Sequence, residues 1–333
     1  MPGAVTLGID VGGTKVLGLA VDAEGEVLAE VRVPTPRRPG ASAADADLAE
    51  LVIVALASVA DQLREQVAGD VVAVGVGAPG LVSSNGVLHF APNLPGGSGL
   101  DVAGRLSERL KLPTVVDNDA TCASVGEWAF GAAVGTSDAV MVTLGTGIGG
   151  GLIAGGRVVR GANGFGGEVG HMVVDPTGPP CPCGKRGCWE RFASGSGLGR
   201  LAREAAHAGR LDDVVDLAGG DAESVRGEHV TMAAKAGNAS ALAVLTELGW
   251  WLALGLSNLA LALDPAVMVY GGGLVDTVTL VLDDVRRSFD DLLEGRAYRP
   301  AVHIVPAQLG ERAGAIGAAL VARAGDRYRA DAP

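Results

Sequence analysis

The chain has 333 residues, of which 48% are hydrophobic and 19% charged, and a net charge of −12. That length predicts two domains of about 100–200 residues each, with ample apolar material for their cores and no compositional sign of disorder. The acidic balance argues against nucleic acid and anionic membrane as partners, because both surfaces repel such a protein.

The chain begins Met-Pro-Gly-Ala-Val-Thr and its first cationic residue is Lys15, so the basic start of a signal peptide is missing and a cytoplasmic location is expected. The longest apolar stretch, Trp250 to Leu263, is interrupted by Gly255, Ser257 and Asn258. It is shorter than the ~20 residues of a membrane span and predicts a buried helix. Fifty-two glycines cluster after apolar runs, which points to tight strand-to-loop turns and close ligand approach.

Val5 to Asp10, Val16 to Val21 and Val27 to Val33 read as three short strands of a glycine-turned antiparallel meander. Pro34 to Asp47 holds three prolines and reads as a loop, and Leu48 to Ala68 repeats apolar residues at helical spacing. A strand is expected at Val71 to Gly77, running into a loop at Pro79, then a helix at Leu100 to Leu110. Thr114 to Val116 is a strand ending at Asp117-Asn118-Asp119, and Ala120 to Phe130 the helix after it.

The pattern then restarts. Ala139 to Leu144 is an apolar strand, followed by a glycine turn and a further strand from Leu152. Thr6-Leu7-Gly8 and Gly12-Gly13 recur as Thr143-Leu144-Gly145 and Gly149-Gly150, which favours a duplicated fold, with chance in a glycine-rich stretch as the alternative. Gly197 to Leu263 is mostly helical. A strand at Ala266 to Tyr270, a helix at Val275 to Leu293, a strand at Val302 to Val305 and a last helix at Ala313 to Ala324 complete an α/β chain.

Three glycine turns come directly after strands. In Asp10-Val-Gly-Gly-Thr-Lys15, bare backbone amides at Gly12, Gly13 and Thr14 can meet phosphate oxygens, with Asp10 at Mg²⁺ and Lys15 at phosphate; an ordinary hairpin turn explains the same residues. Gly145-Thr146-Gly147-Ile-Gly149-Gly satisfies G-x-G-x-x-G, yet the residues from Leu152 onward alternate like a strand, whereas a Rossmann turn must open a helix. Gly271-Gly272-Gly273 suits a flat adenine lying on bare backbone.

Cys181, Cys183 and Cys188 share one glycine-bent loop, and His171 upstream completes a Cys₃His set of the kind that closes around structural zinc. Free or oxidised thiols are the alternative. Glu168, His171 and Glu190 flank the thiols and are polar in a way a structural loop does not require. Asp117-Asn118-Asp119 suits a helix cap. That is the better reading of the run taken alone; it also suits the single base that phosphorylation of a hydroxyl needs, with Asn118 and the loop residue Asn93 orienting hydroxyls.

The opening Asp-Val-Gly-Gly-Thr-Lys, the Asp-Asn-Asp, the Leu-Gly-Thr-Gly-Ile-Gly-Gly-Gly and the Gly-Gly-Glu-Val-Gly-His…Cys-x-Cys-Gly-x-x-Gly-Cys-x-Glu run resemble ROK-family sugar kinases over nearly the whole chain. The resemblance implies an actin-like ATPase (ribonuclease H-like) fold, with two duplicated α/β domains around a cleft. It places the small domain at 1–118 with the helix of 308–333 returning to it, and the large zinc-bearing domain at 119–307.

The same resemblance implies transfer from ATP to the 6-hydroxyl of glucose, with another hexose or a non-catalytic sugar sensor as alternatives. Asp119 would be the base; Asn93, Asn118, Glu168, His171 and Glu190 would bind sugar. Asp10, Gly12, Gly13, Thr14 and Lys15 would meet Mg²⁺ and phosphates, with Gly145 to Gly149 opposite. It also implies a homo-oligomer, dimer or tetramer. Repressors of the family carry an N-terminal helix-turn-helix, for which a first strand at residue 5 leaves no room.

Overall fold

A computed structural model describes residues 3–37, 45–91, 94 and 96–323. In chain order its elements are β1 Val5–Val11, β2 Lys15–Val21, β3 Val27–Pro34, α1 Ala46–Gln66 and β4 Val71–Ala78. Then come β5 Leu81–Val82, β6 Val87–Phe90, β7 Leu100–Asp101, α2 Val102–Leu110, β8 Thr114–Asn118 and α3 Asp119–Phe130. The hairpin β9 Ala139–Leu144, β10 Ile148–Ala154 and β11 Arg157–Val158 is next. The rest is α4 Glu190–Ala193, α5 Gly195–His207, α6 Asp212–Leu217, α7 Gly227–Lys235, α8 Ala239–Leu263, β12 Val267–Gly271, α9 Val275–Thr279, α10 Leu282–Leu292, β13 His303–Pro306 and α11 Ala313–Arg323.

The two large sheets have the same strand order, β3-β2-β1-β4-β8 and β11-β10-β9-β12-β13, which is the repeat of the actin-like ATPase fold. In the first, β1 runs antiparallel to β2 and parallel to β4, which is parallel to β8. The duplication therefore holds, but not in the register the glycines suggest. The equivalent turns begin at Gly12 and Gly145, and Gly149 and Gly150 lie inside β10. The matched Gly-Gly pairs are not equivalent, because β10 starts at Ile148 and not at Leu152.

By their contacts the residues form two compact units, one of residues 1–141, 151–167 and 308–333, the other of 142–150 and 168–307. The sequence reading starts the second domain at residue 119, whereas α3 belongs with the first unit. The cause is α11, which packs on α3, β1 and β4. It comes so close that a Cβ at Gly8 or Gly75 would lie 1.8 Å from the carbonyl oxygens of Ala315 and Ala318. A Cβ at Gly317 would meet the Cys122 carbonyl at 1.7 Å. Mid-strand glycine, ordinarily weakening, is what this approach demands.

Opposite that layer, α1 buries Leu48, Val52, Ile53, Leu56, Val59, Ala60 and Leu63 at helical spacing. Asp45 caps it, accepting from the Leu48 amide at 3.0 Å. Between β4 and α2 a small sheet, β5-β6-β7, replaces the expected loop, and the predicted helix at Leu100 begins at Val102.

In the second unit the core helix is α8. Its 25 residues are long and apolar enough to cross a membrane, contrary to the count from Trp250. Leu245, Leu248, Leu252, Leu256 and Leu259 are instead buried against neighbouring helices of the unit, including α10, α7 and α5. The helix expected from Val275 to Leu293 breaks at Leu280–Val281, where Val281 turns inward and is buried.

Candidate active site

In the first unit Asp10 is the penultimate residue of β1, β8 ends at Asn118, and α3 starts at Asp119. Asn118 supplies the helix cap: its Oδ1 accepts from the Thr121 amide at 3.0 Å and its Nδ2 donates to the Gly80 carbonyl at 3.2 Å. The capping role thus falls on Asn118, and Asp119 Oδ1 accepts from the Ala120 amide at 2.8 Å. Asp117 points inward to a buried pair with Arg160, whose Nε and Nη2 lie 2.7 and 2.6 Å from Oδ2.

Asp10 and Asp119 feel each other. Burial, and then the Asp119 charge, pushes the Asp10 carboxyl up to about 7, with Lys15 opposing. Asp10 keeps partial solvent exposure. The burial comes from α11, which meets the carboxylate with bare backbone: a Cβ on Gly314 would stand 2.8 Å from Asp10 Cγ. Such a strained pair of carboxylates suits a divalent cation, which supplies the missing positive charge.

The turn Gly12-Gly13-Thr14 is closed by a bond from the Gly12 amide to the Lys15 carbonyl at 2.9 Å. Lys15 does not point its ammonium freely at a phosphate position. It is paired with Glu311, which Arg32 also holds. Asn93 lies outside the described residues.

The second unit carries the other set. His171 Nδ1 is 3.8 Å from Cys181 Sγ, and Cys183 Sγ is 3.6 Å from Cys188 Sγ. The four ligand atoms lie within 4.8 Å of one another. Tetrahedral sulfur ligands about 2.3 Å from zinc stand about 3.8 Å apart, so the residues fit such an ion, and no disulfide competes. His171 Nε2 faces the other way, 3.9 Å from Glu168 Oε2, while Glu190 Oε1 is 3.8 Å from Nδ1. Burial, and after it the Glu190 charge, raises the Glu168 carboxyl.

Two residues the sequence reading missed hold this loop. Trp189, fully buried between Cys188 and Glu190, donates from Nε1 to the Trp251 carbonyl at 2.8 Å. Its ring lies against α8 where a Cβ on Gly255 would be 1.9 Å away, so the glycine in that helix makes room for the indole. The signal was there as a mid-helix glycine with no turn to explain it.

The turn Gly145-Thr146-Gly147 is tied to the start of α5, the Gly195 amide donating to the Gly145 carbonyl at 2.8 Å. Gly147 passes so near Glu190 that a Cβ would stand 2.4 Å from Oε2. The strand after this turn confirms that it opens no helix. Gly271 ends β12, and Gly272, at φ +84°, packs on the Leu144 backbone, where a Cβ would approach the carbonyl to 2.7 Å. Gly273 is open, with nothing within 4 Å of a Cβ.

A repeated α/β scaffold with glycine turns on both halves, paired carboxylates on one and a Cys₃His cluster on the other defines a phosphoryl-transfer class of protein. A family model described as ROK family matches residues 6–324. The glucokinase of Streptomyces coelicolor is 39% identical over 97% of this chain and 98% of its own. The crystal structure of a ROK family glucokinase from Streptomyces griseus, in complex with glucose and AMPPNP, superposes with TM-score 0.81 at 39% identity, covering 97% of this chain and 100% of that one. The ROK hexokinase of Thermus thermophilus superposes with TM-score 0.77 at 33% identity, over 96% and 97% of the two chains. This chain belongs to the ROK family.

Proposed function

We propose that this protein is an ATP-dependent glucokinase, converting glucose to glucose 6-phosphate. The observation that carries the reading is Asp119: a carboxylate at a strand end and helix start, its helix already capped by its neighbour and so not spent as the cap. It is supported by full-length similarity to a glucokinase crystallised with glucose and an ATP analogue.

In this reading Asp119 accepts the proton of the sugar's 6-hydroxyl as that oxygen attacks the terminal phosphorus. Asp10, whose carboxyl is raised by burial and then by the Asp119 charge, is its neighbour. Glu168, His171 and Glu190 accept or donate to the remaining hydroxyls, with Asn118 and Asn93 as further sugar contacts. The amides of the Gly12 and Gly145 turns serve the phosphates, and Gly271 to Gly273 the adenine, while the Lys15 ammonium stays with Glu311. Mg²⁺ held at Asp10 would neutralise charge on the transferring phosphate.

His171 Nδ1, Cys181, Cys183 and Cys188 would hold a structural zinc, leaving Nε2 for the sugar in one tautomer. Burial pushes the Cys181 and Cys188 thiols up, so binding of an ion would release their protons.

A coupled ADP-release assay over glucose, mannose, fructose, N-acetylglucosamine and N-acetylmannosamine tests the reading. The highest kcat/KM is expected for glucose. A preference for an N-acetylated hexose overturns the glucose assignment, and no turnover with any sugar overturns the kinase.

A further inference from the structure

The β1–β2 turn is built of two glycines and a threonine, residues that by themselves leave a loop with many conformations. Something must select one of them. The end of β3 and the segment after it read Pro34-Thr-Pro-Arg37, and Pro36 restricts Thr35 before it to extended backbone. Thr35 is only 5% exposed, although it lies in a polar connection.

Its Oγ1 donates to the Gly12 carbonyl at 2.6 Å, and its amide to the Thr14 carbonyl at 3.1 Å. Between them, the Arg37 guanidinium donates to the Gly13 carbonyl. Three consecutive carbonyls of the turn are therefore held by residues 35 and 37.

In a planar trans peptide the C=O and the following N–H point in opposite directions, and no described peptide is cis. The Gly12 carbonyl shares its peptide with the Gly13 amide, and the Gly13 carbonyl with the Thr14 amide. Pulling both carbonyls toward the 35–37 segment turns those two amides away from it, side by side, as an anion-binding nest requires.

We propose that Thr35, with Arg37 beside it, is a positioning residue for phosphate: its hydroxyl presets the Gly13 and Thr14 amides for the terminal phosphates of the nucleotide. The assignment rests on the kinase reading above. Without the clamp the amides still exist, but the turn must be ordered when the nucleotide binds, at a cost in affinity.

Thr35→Val keeps the shape and removes only the hydroxyl, leaving the Gly12 carbonyl without that donor. Loss of one such bond corresponds to roughly a tenfold change in affinity. Calorimetric titration with magnesium AMPPNP is expected to show that loss in Thr35→Val, while AMP, which lacks the terminal phosphates, binds as in the wild type. Thr35→Ser restores AMPPNP affinity, and KM for ATP shows the same order with KM for glucose unchanged.

Equal AMPPNP affinity in wild type and Thr35→Val overturns the clamp. So does a parallel loss for AMP, or a Thr35→Ser variant as weak as Thr35→Val, since each marks a merely structural side chain. A wild type that binds AMPPNP but phosphorylates no sugar sinks the kinase reading, and the binding series still decides the clamp. A wild type that binds no AMPPNP sinks both.

Discussion

The turns at Gly12 and Gly145 occupy the same place in two sheets of the same strand order, and they are braced in different ways. The first is held by side chains of the 35–37 segment and stands just after a carboxylate, Asp10, that α11 has buried. The second is held by the backbone start of α5 and brushes a carboxylate, Glu190, at the start of α4. A duplicated scaffold supplies the bare amides twice, and the neighbours of each turn decide what chemistry stands beside it. Next to the first stand Asp10 and Asp119, and next to the second stands Glu190, two residues after Cys188 of the Cys₃His cluster.

If chemistry belongs to the first turn and sugar binding to the second, substitutions should separate them. The largest effect is expected at Asp119. Asp119→Asn removes the base and should lower kcat by about 10²–10⁴-fold with little change in KM for glucose or in melting temperature. Retained kcat would show that the carboxylate is not the base. A non-catalytic sugar sensor would have no turnover to lose.

A smaller effect is expected from Asp10 in the apoprotein. Its folded pKa, about 7, lies above the ordinary 3.8, so between these values the folded state binds the proton more tightly than the unfolded chain does. Stability from this group is present below about pH 4 and declines as pH rises toward 7. The size is on the order of 2–4 kcal/mol from a shift of that extent. Melting temperatures taken from pH 4 to 8 should fall less steeply in Asp10→Asn than in the wild type. Parallel curves would mean that Asp10 is not hemmed in by α11 and Asp119.

The smallest effect sharpens the comparison at the second turn. Gly147→Ala would set a methyl against Glu190 Oε2, and the flexible carboxylate end would move while the fold stays. KM for glucose should rise roughly tenfold, the cost of about one displaced hydrogen bond, with KM for ATP changing less. Equal rises in both constants would show that the turn serves the two substrates alike.

Residue types with few other uses made much of the site legible in one dimension. Three cysteines and a histidine within a short span suit a metal cluster, and the Asp-Asn-Asp marks the junction of a strand end and a helix start. The strands and long helices were legible through their periods. The β5-β6-β7 sheet was not, because strands of two to four residues are too short to show alternation.

The misplaced repeat has a similar cause. Glycine matches glycine easily, and the pairing of Gly12-Gly13 with Gly149-Gly150 carried no information about where the strand resumes. Glu127 illustrates contacts that no local pattern contains. Fully buried on α3, it accepts from the Gln308 and Leu309 amides at 3.0 and 2.7 Å, more than 180 residues away in sequence, and fastens the start of the returning C-terminal segment.

Composition and spacing were enough for the α/β class, the strand-end glycine turns, the Cys₃His cluster and the candidate base, since each depends on residues near one another along the chain. Three-dimensional packing alone settled which half owns α3, which residue caps it, where Lys15 spends its charge and which side chains hold the β1–β2 turn. Those outcomes depend on burial and on partners brought together from distant parts of the chain, and neither quantity exists until the layers close.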